Sequence, residues 1–184
     1  MNAAGSLYFA DEGYLTWQKN LVEPYLKQCQ KYAYFHSYDG ATIFYQQYLA
    51  AGADTCIVIS HGFSEFAEKY NEVIYYFLQH GCSVYILEHR GHGYSEREVS
   101  DDQKVYIRDF EDYIKDLDCF MKKMNYRMER HRILFAHSMG GAVAARYIEE
   151  HPEVFERAIL SSPMFRIQTG KYPWWVAKMT AAFY

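Results

Sequence analysis

The sequence contains no apolar run of about 18 residues, the length that a membrane-spanning helix requires. Its first 14 residues include acidic side chains and lack the apolar segment of a signal peptide. These two absences predict a soluble, cytoplasmic chain that neither spans a bilayer nor enters the secretory route.

Basic charge is also sparse. The chain has 19 Lys and Arg against 23 Asp and Glu, which gives a net charge of −4, and its basic residues are scattered. Binding to nucleic acid needs a concentrated basic surface that neutralises phosphates. The sequence therefore predicts that no nucleic acid is a partner.

Cysteine is rare and forms no C-x-x-C pair. Two of the cysteines lie beside apolar, strand-like runs, where a buried reduced thiol is the expected state. The four are Cys29, Cys56, Cys82 and Cys119. Their wide spacing gives no indication of a metal site or of a redox motif.

What the chain does have is enough length and apolar content for one domain. It has 184 residues, half of them apolar, which suffices for a sizeable core. Residues 1–30 read as an N-terminal arm that is irregular or partly helical. Beyond this arm, two apolar runs around Asp39-Gly40 form a hairpin pattern.

Strand and helix patterns then alternate three times. Short apolar strands are predicted at 56–59, 83–87, 133–136 and 158–161, with amphipathic helices at 66–78, 106–124 and 140–150 between them. This alternation is typical of a mostly parallel sheet with helices on both faces. The predicted fold class is α/β, with an antiparallel hairpin at its start.

A lone serine stands where the third of these strands becomes a helix, in the stretch A-H-S-M-G-G. A sharp turn there would expose the Ser138 hydroxyl at the sheet edge, provided that its neighbours are small, as Ala136 and Gly140 are. The N-terminus of the following helix favours developing negative charge. Ser138 is therefore the candidate nucleophile, and an ordinary serine in a tight turn is the alternative.

A second stretch, S-H-G-F-S-E, follows the first strand after the hairpin. Acyl transfer needs two backbone N–H groups that point at the developing oxyanion. In serine hydrolases built on such a turn, one comes from the residue after the nucleophile and one from this earlier loop. The candidates are Met139 and Phe63, and a plain loop turn at His61-Gly62 is the alternative.

A third stretch, E-H-R-G-H-G-Y-S, offers G-x-G but has Glu96 where a dinucleotide fingerprint needs its third glycine. His89 and His92 have no second ligand pair at zinc-like spacing. The sequence therefore predicts no cofactor and no metal, and a structural loop beside the site.

Taken together, H-G-F-S-E, H-R-G-H-G-Y-S, A-H-S-M-G-G and L-S-S-P-M resemble the monoacylglycerol lipase and lysophospholipase family of α/β-hydrolases. The resemblance implies the α/β-hydrolase fold, Ser138 as nucleophile, and the N–H groups of Phe63 and Met139 as oxyanion hole. It also implies a mobile cap that begins after Pro163. The domain boundaries expected are an arm at 1–30, the hydrolase core at 31–165 and the start of a cap at 166–184.

A serine nucleophile needs a base and an acid, and the sequence offers neither. His151 follows the helix that Ser138 starts, roughly 18 Å away at 1.5 Å per residue, and His137 is expected to point elsewhere. In the family that the chain resembles, acid and base lie after later strands. The chain is thus expected to be an N-terminal part that lacks the C-terminal strands, is inactive alone and exposes the 158–161 strand.

The function predicted is a serine hydrolase that cleaves lysophospholipids or monoacylglycerols through an acyl-enzyme. A peptidase, a thioesterase or a small-ester esterase of the same fold remain alternatives, as does a non-catalytic ligand-binding relative. The partner expected is a small lipid ester, with transient contact to a membrane surface through the cap. The sequence gives no oligomeric state.

Overall fold

The computed structural model describes residues 13–101, 103–124 and 129–166 of the chain. Within these ranges the strands are Gln30–His36 (β1), Thr42–Tyr48 (β2), Thr55–Ser60 (β3), Ser83–Leu87 (β4), His131–His137 (β5) and Arg157–Ser161 (β6). The α-helices are Tyr14–Trp17 (α1), Glu23–Cys29 (α2), Asn71–Gln79 (α3), Glu111–Met124 (α4) and Ser138–Glu150 (α5). A π-helical stretch, Gln18–Val22, joins α1 to α2, and a 3₁₀ turn, Ala67–Tyr70, precedes α3.

Strands β1 and β2 form the predicted hairpin. The turn closes through a hydrogen bond of 2.8 Å from Ser37 N–H to the Ala41 carbonyl. Gly40 adopts a φ of 93° there, a conformation that glycine reaches without steric penalty. The Asp39 carboxylate accepts the Ala41 N–H at 3.1 Å, as turn-forming aspartates do.

The six strands form one sheet in the order β1-β2-β4-β3-β5-β6. Strands β3, β4, β5 and β6 are parallel, and β2 joins them antiparallel to β4. The predicted mostly parallel sheet, with an antiparallel hairpin at its start, is confirmed. In the described part of the chain β6 is an edge strand, and Ile159 on it is 48% exposed.

Helices cover both faces of the sheet, as predicted. On β3 the side chains of Ile57 and Ile59 pack with α3, whereas Cys56 and Val58 on the opposite face pack with α4 and α5. Strand β4 alternates in the same way between two apolar clusters. Successive side chains of a strand point to opposite faces, so a continuously apolar strand needs a helical layer on each side.

Two helices begin later than the sequence pattern predicts. Helix α4 begins at Glu111 instead of Tyr106, because the Asp109 carboxylate accepts the Glu111 N–H at 3.0 Å and caps the first turn. Helix α3 begins at Asn71, since the backbone of Phe66 is extended and a 3₁₀ turn follows it. Apolar spacing marks the helical face but does not locate the capping residue.

Several predictions fall wholly or partly on residues outside the described ranges. Of the predicted cap, only residue 166 is described, so the cap and its membrane contact stay predictions, as do the domain boundaries. Of the predicted arm, residues 14–29 are helical throughout. None of the helices in the described ranges combines the length and the apolar character that crossing a bilayer demands.

Candidate active site

Ser138 lies on the turn between β5 and α5. The strand ends at His137 and the helix begins at Ser138 itself, without an intervening loop. The serine has a φ of 51°, in the left-handed region that costs a residue with a side chain about 1–3 kcal/mol. The predicted sharp strand-to-helix turn is present, and its backbone is strained at the serine.

Small residues after the serine allow other backbone segments to approach the turn. A Cβ atom on Gly140 would lie 2.2 Å from the Ser60 carbonyl oxygen, and one on Gly141 would lie 2.8 Å from the Pro163 Cβ. The Met164 N–H donates to the Ser138 carbonyl at 2.9 Å. The ends of β3 and β6 are thereby held against the start of α5.

Of the predicted oxyanion-hole residues, Met139 directly follows Ser138, and Phe63 belongs to a loop that lies beside it. The 61–66 loop follows β3, which pairs with β5 in a register that sets Ser60 against Ala136. A Cβ atom on Gly62, the residue before Phe63, would lie 3.2 Å from the Ser138 Cβ. Met139 is the second residue of α5, where backbone N–H groups have no partner within the helix.

A half-buried carboxylate, Glu65, which the sequence reasoning missed, holds the 61–66 loop. Glu65 Oε2 accepts the Gly62 N–H at 2.6 Å and the Tyr70 hydroxyl at 2.7 Å. Burial opposes the ionisation of Glu65, but these two hydrogen bonds, together with the nearby His137 and His61, outweigh it and lower the pKa of the carboxyl. The signal that could have found Glu65 is an acidic side chain inside a short loop after a buried strand.

None of the described histidines contacts the Ser138 hydroxyl. His137 Nε2 lies 4.0 Å from Glu65 Oε1, and His151 Nε2 lies 3.8 Å from an Asp118 oxygen at the far end of α5. Among the residues that the structure describes, no side chain forms a hydrogen bond with Ser138 Oγ. The described ranges therefore contain a serine and an adjacent loop, but no base in contact with that serine.

Three buried histidines, His61, His89 and His92, pack beneath the 61–66 loop. The His61 ring centroid lies 4.7 Å from that of His89 and 5.2 Å from that of His92. His61 Nε2 accepts the His89 backbone N–H at 2.9 Å, while Nδ1 lies 2.8 Å from the Gly62 carbonyl oxygen. One ring nitrogen accepts and the other donates, so His61 is a neutral imidazole with its proton on Nδ1.

The predicted structural loop after β4 is anchored by Glu88 and Arg90, both buried. The Glu88 carboxylate accepts the backbone N–H groups of Ala67 and Tyr94 at 3.0 and 2.6 Å. Arg90 binds both Asp116 oxygens, at 2.7 and 2.6 Å, which ties the loop to α4. Within the described ranges, no group of three or more His, Cys, Asp or Glu could hold a metal ion.

The buried histidines should make stability fall in acid. Burial lowers the pKa of His61 to about 4 and also lowers the pKa of His89 and of His92. Below about pH 6.5 a histidine of the unfolded chain binds a proton, whereas the buried histidines of the folded chain stay neutral. Proton binding then favours the unfolded state. We expect His61 to lower the free energy of unfolding by about 1.4 kcal/mol per pH unit between pH 6.5 and 4. His89 and His92 should add to this loss below pH 6.5, because burial lowers their pKa in the same direction.

Matched variants isolate this effect in urea titrations between pH 7.5 and 4. His92→Asn keeps a donor near the Arg90 carbonyl, which Nδ1 approaches at 3.1 Å, and should give a shallower loss of stability. The exposed His80 supplies the control substitution His80→Asn. Burial raises the pKa of Glu88, which by itself makes the folded state more stable as the pH falls. This opposite effect is the same in both variants. Equal slopes in the two variants would contradict the assignment to the buried histidines.

The chain is similar in sequence to proteins of known name. The chain is 34% identical over 136 residues to lysophospholipase L2 of Escherichia coli, covering 73% of this chain and 40% of that protein. It is 32% identical to the monoacylglycerol lipase of Mycolicibacterium smegmatis, covering 66% of this chain and 42% of that protein. The chain thus spans about two-fifths of the length of these relatives.

Solved structures match the fold. The monoacylglycerol lipase of Paleococcus ferrophilus superposes with a TM-score of 0.62 at 22% identity, over 77% of this chain and 50% of that one. A thermostable carboxyl esterase from Bacillus coagulans gives a TM-score of 0.62 at 21% identity, over 72% of this chain and 44% of that one. At these identities the likeness concerns the fold.

The parallel sheet with its antiparallel hairpin, two helical layers and a strained serine between strand and helix defines an α/β-hydrolase. The family described as "Serine aminopeptidase, S33" matches residues 51–184. The chain belongs to that family, and its resemblance to monoacylglycerol lipases and lysophospholipases is confirmed.

Proposed function

We propose that the full-length protein is a serine hydrolase that cleaves carboxylic esters of lipids, either lysophospholipids or monoacylglycerols. The observation that carries the proposal is the strained turn at Ser138, whose φ is 51°, directly beside the 61–66 loop. The names of the relatives, lysophospholipase L2 and monoacylglycerol lipase, support the lipid-ester substrate class.

In the proposed reaction, Ser138 Oγ attacks the ester carbonyl carbon and gives its proton to a general base. The carbonyl oxygen becomes an oxyanion, which the backbone N–H groups of Phe63 and Met139 stabilise in the tetrahedral intermediate. The intermediate collapses to an acyl-serine as the alcohol leaves with the proton from the base. Water then attacks the acyl-serine by the same route and releases the fatty acid.

We place the general base and its acid in the part of the full-length protein beyond this chain. Two observations support that placement: no described histidine contacts Ser138, and the relatives are more than twice as long as the matched region. His61 is unsuited to the role because both of its ring nitrogens already form hydrogen bonds. Residues 166–184 are proposed to begin the cap and to touch the lipid surface.

A substrate panel tests the proposed class. The full-length protein should release fatty acid from lysophosphatidylcholine or monoacylglycerol with a kcat/KM at least about ten-fold above that for an acyl thioester or an aminoacyl nitroanilide. Turnover of the aminoacyl substrate alone would instead establish a peptidase, which the family description favours. Binding of a lipid without turnover of any substrate would establish a non-catalytic relative.

A further inference from the structure

An aromatic pocket lies on the outer part of the sheet, away from Ser138. Tyr32 and Tyr34 stand two residues apart on β1 and therefore share a face, and Phe44 on β2 is paired with Tyr34. Tyr94, from the loop after β4, completes the group. The ring centroid of Phe44 lies 5.2 Å from those of Tyr34 and Tyr94, and 6.0 Å from that of Tyr32.

The pocket has a buried floor and open walls. Phe44 is 5% exposed, whereas Tyr32, Tyr34 and Tyr94 are 69%, 50% and 63% exposed. The rings line one open cavity of about 370 Å³, together with Gln30, Gln46 and Glu68. Three exposed tyrosines around one buried phenylalanine form a contiguous aromatic surface, and surfaces of this kind mark binding sites more often than scattered apolar residues do.

The polar groups of the pocket are a hydrogen-bonded pair of glutamines, Gln30 and Gln46, the three tyrosine hydroxyls and one carboxylate. Gln46 Oε1 accepts hydrogen bonds from the Tyr48 hydroxyl at 2.6 Å and from Gln30 Nε2 at 3.0 Å. Among the described residues that line the cavity, Glu68 is the one with a charged side chain. None of the ion pairs formed within the described ranges involves it. In the part of the chain that the structure describes, the cavity thus combines aromatic faces with one carboxylate and no cationic side chain.

These features select the charge and the shape of a ligand. Aromatic faces carry negative partial charge and attract cations, and aromatic cages that bind quaternary ammonium groups use this attraction. A quaternary ammonium has no N–H group, so it needs no acceptor beyond the compensating carboxylate. A neutral sugar ring carries no positive charge that could balance the Glu68 carboxylate.

We propose that the pocket formed by Tyr32, Tyr34, Phe44 and Tyr94, with Glu68 at its side, binds a small quaternary ammonium group such as that of choline. The aromatic rings surround the methyl groups, and the carboxylate balances the charge. This site takes no part in the proposed ester hydrolysis, because none of its residues lies at Ser138. It stands on its own even if the hydrolase proposal fails.

The experiment is a calorimetric titration of the full-length protein at constant ionic strength. Choline and tetramethylammonium should bind in the millimolar range, and at least about five-fold more tightly than 3,3-dimethylbutan-1-ol, which has the shape of choline without its charge. Methyl glucoside should not compete. Glycerophosphocholine that binds more tightly than choline would identify a lipid headgroup as the source of the ligand, and weaker binding would identify a free cation.

Single variants locate the site. Tyr32→Leu, Tyr94→Leu and Glu68→Gln should each weaken choline binding by about three- to ten-fold. Tyr106→Leu is the matched control, since Tyr106 is 51% exposed and lies outside the pocket. Absence of saturable binding, equal binding of the uncharged alcohol, preference for the glucoside, or an equal loss in Tyr106→Leu would each overturn the proposal.

Discussion

Replacement of Ser138 with alanine is expected to lower kcat of the full-length protein for a lysophospholipid or monoacylglycerol by about 10⁴- to 10⁶-fold. Alanine fills the same place on the turn between β5 and α5 but has no hydroxyl to attack the ester. The residual rate should be that of a site that still binds substrate and still offers oxyanion donors. KM should change little, because the hydroxyl forms no hydrogen bond with another described side chain.

A fluorophosphonate probe gives the second readout. It should label the full-length protein once, at Ser138, and should not label Ser138→Ala. Ser162 supplies a matched control, because it too has a positive φ, 47°, and lies in the loop after β6. Ser162→Ala should be labelled normally. If labelling persisted in Ser138→Ala and disappeared in Ser162→Ala, the nucleophile would be Ser162 instead of Ser138.

The sequence was sufficient for the central strands of the sheet because β3 and β4 each contain an apolar run of four residues. Residues 56–59 and 84–87 all belong to one of the two apolar clusters on the faces of the sheet, so such short runs predict buried parallel strands directly. The Asp39-Gly40 turn was equally predictable, since the φ of 93° at Gly40 suits glycine. The first residues of the helices were harder to predict, because the start of α4 depends on one capping contact from Asp109.

In the candidate site, the sequence predicted only residues whose role follows from the local backbone turn. Ser138 and the glycines after it follow from the geometry of a single turn. Glu65 could not be found this way, because its role depends on where Gly62 and Tyr70 lie in space. Arg90 and Asp116 are 26 residues apart, and nothing in their local pattern indicates that they form a buried pair.

The hydrogen bonds of His61 give a physical reason why this histidine does not serve as the general base for Ser138. In the structure its Nε2 accepts the His89 backbone N–H, and burial lowers its pKa to about 4. A base whose lone pair is already occupied cannot take the serine proton, so His61 is better suited to fixing the Gly62 carbonyl.

If the Phe63 N–H belongs to the oxyanion hole, removing this N–H group should lower kcat far more than removing the Phe63 side chain. The ring of Phe63 is 54% exposed, so Phe63→Ala should leave kcat within about three-fold of its original value. Phe63→Pro removes the N–H group and should lower kcat by about 10²- to 10³-fold, the loss typical of one missing oxyanion donor. KM should change much less than kcat, because the donor acts on charge that develops in the transition state.

Proline also restricts the backbone, so a second substitution must remove the N–H group alone. Replacing Phe63 with phenyllactic acid turns its amide into an ester and leaves the side chain in place. If the donor is the cause, this ester variant should lose kcat to about the same extent as Phe63→Pro, with an unchanged urea midpoint. The neighbouring Gly62 N–H cannot replace the Phe63 N–H as oxyanion donor, because it already donates to Glu65 at 2.6 Å. Full activity of the ester variant, together with loss in Phe63→Pro, would show that proline acts by distorting the loop and that the second donor lies elsewhere.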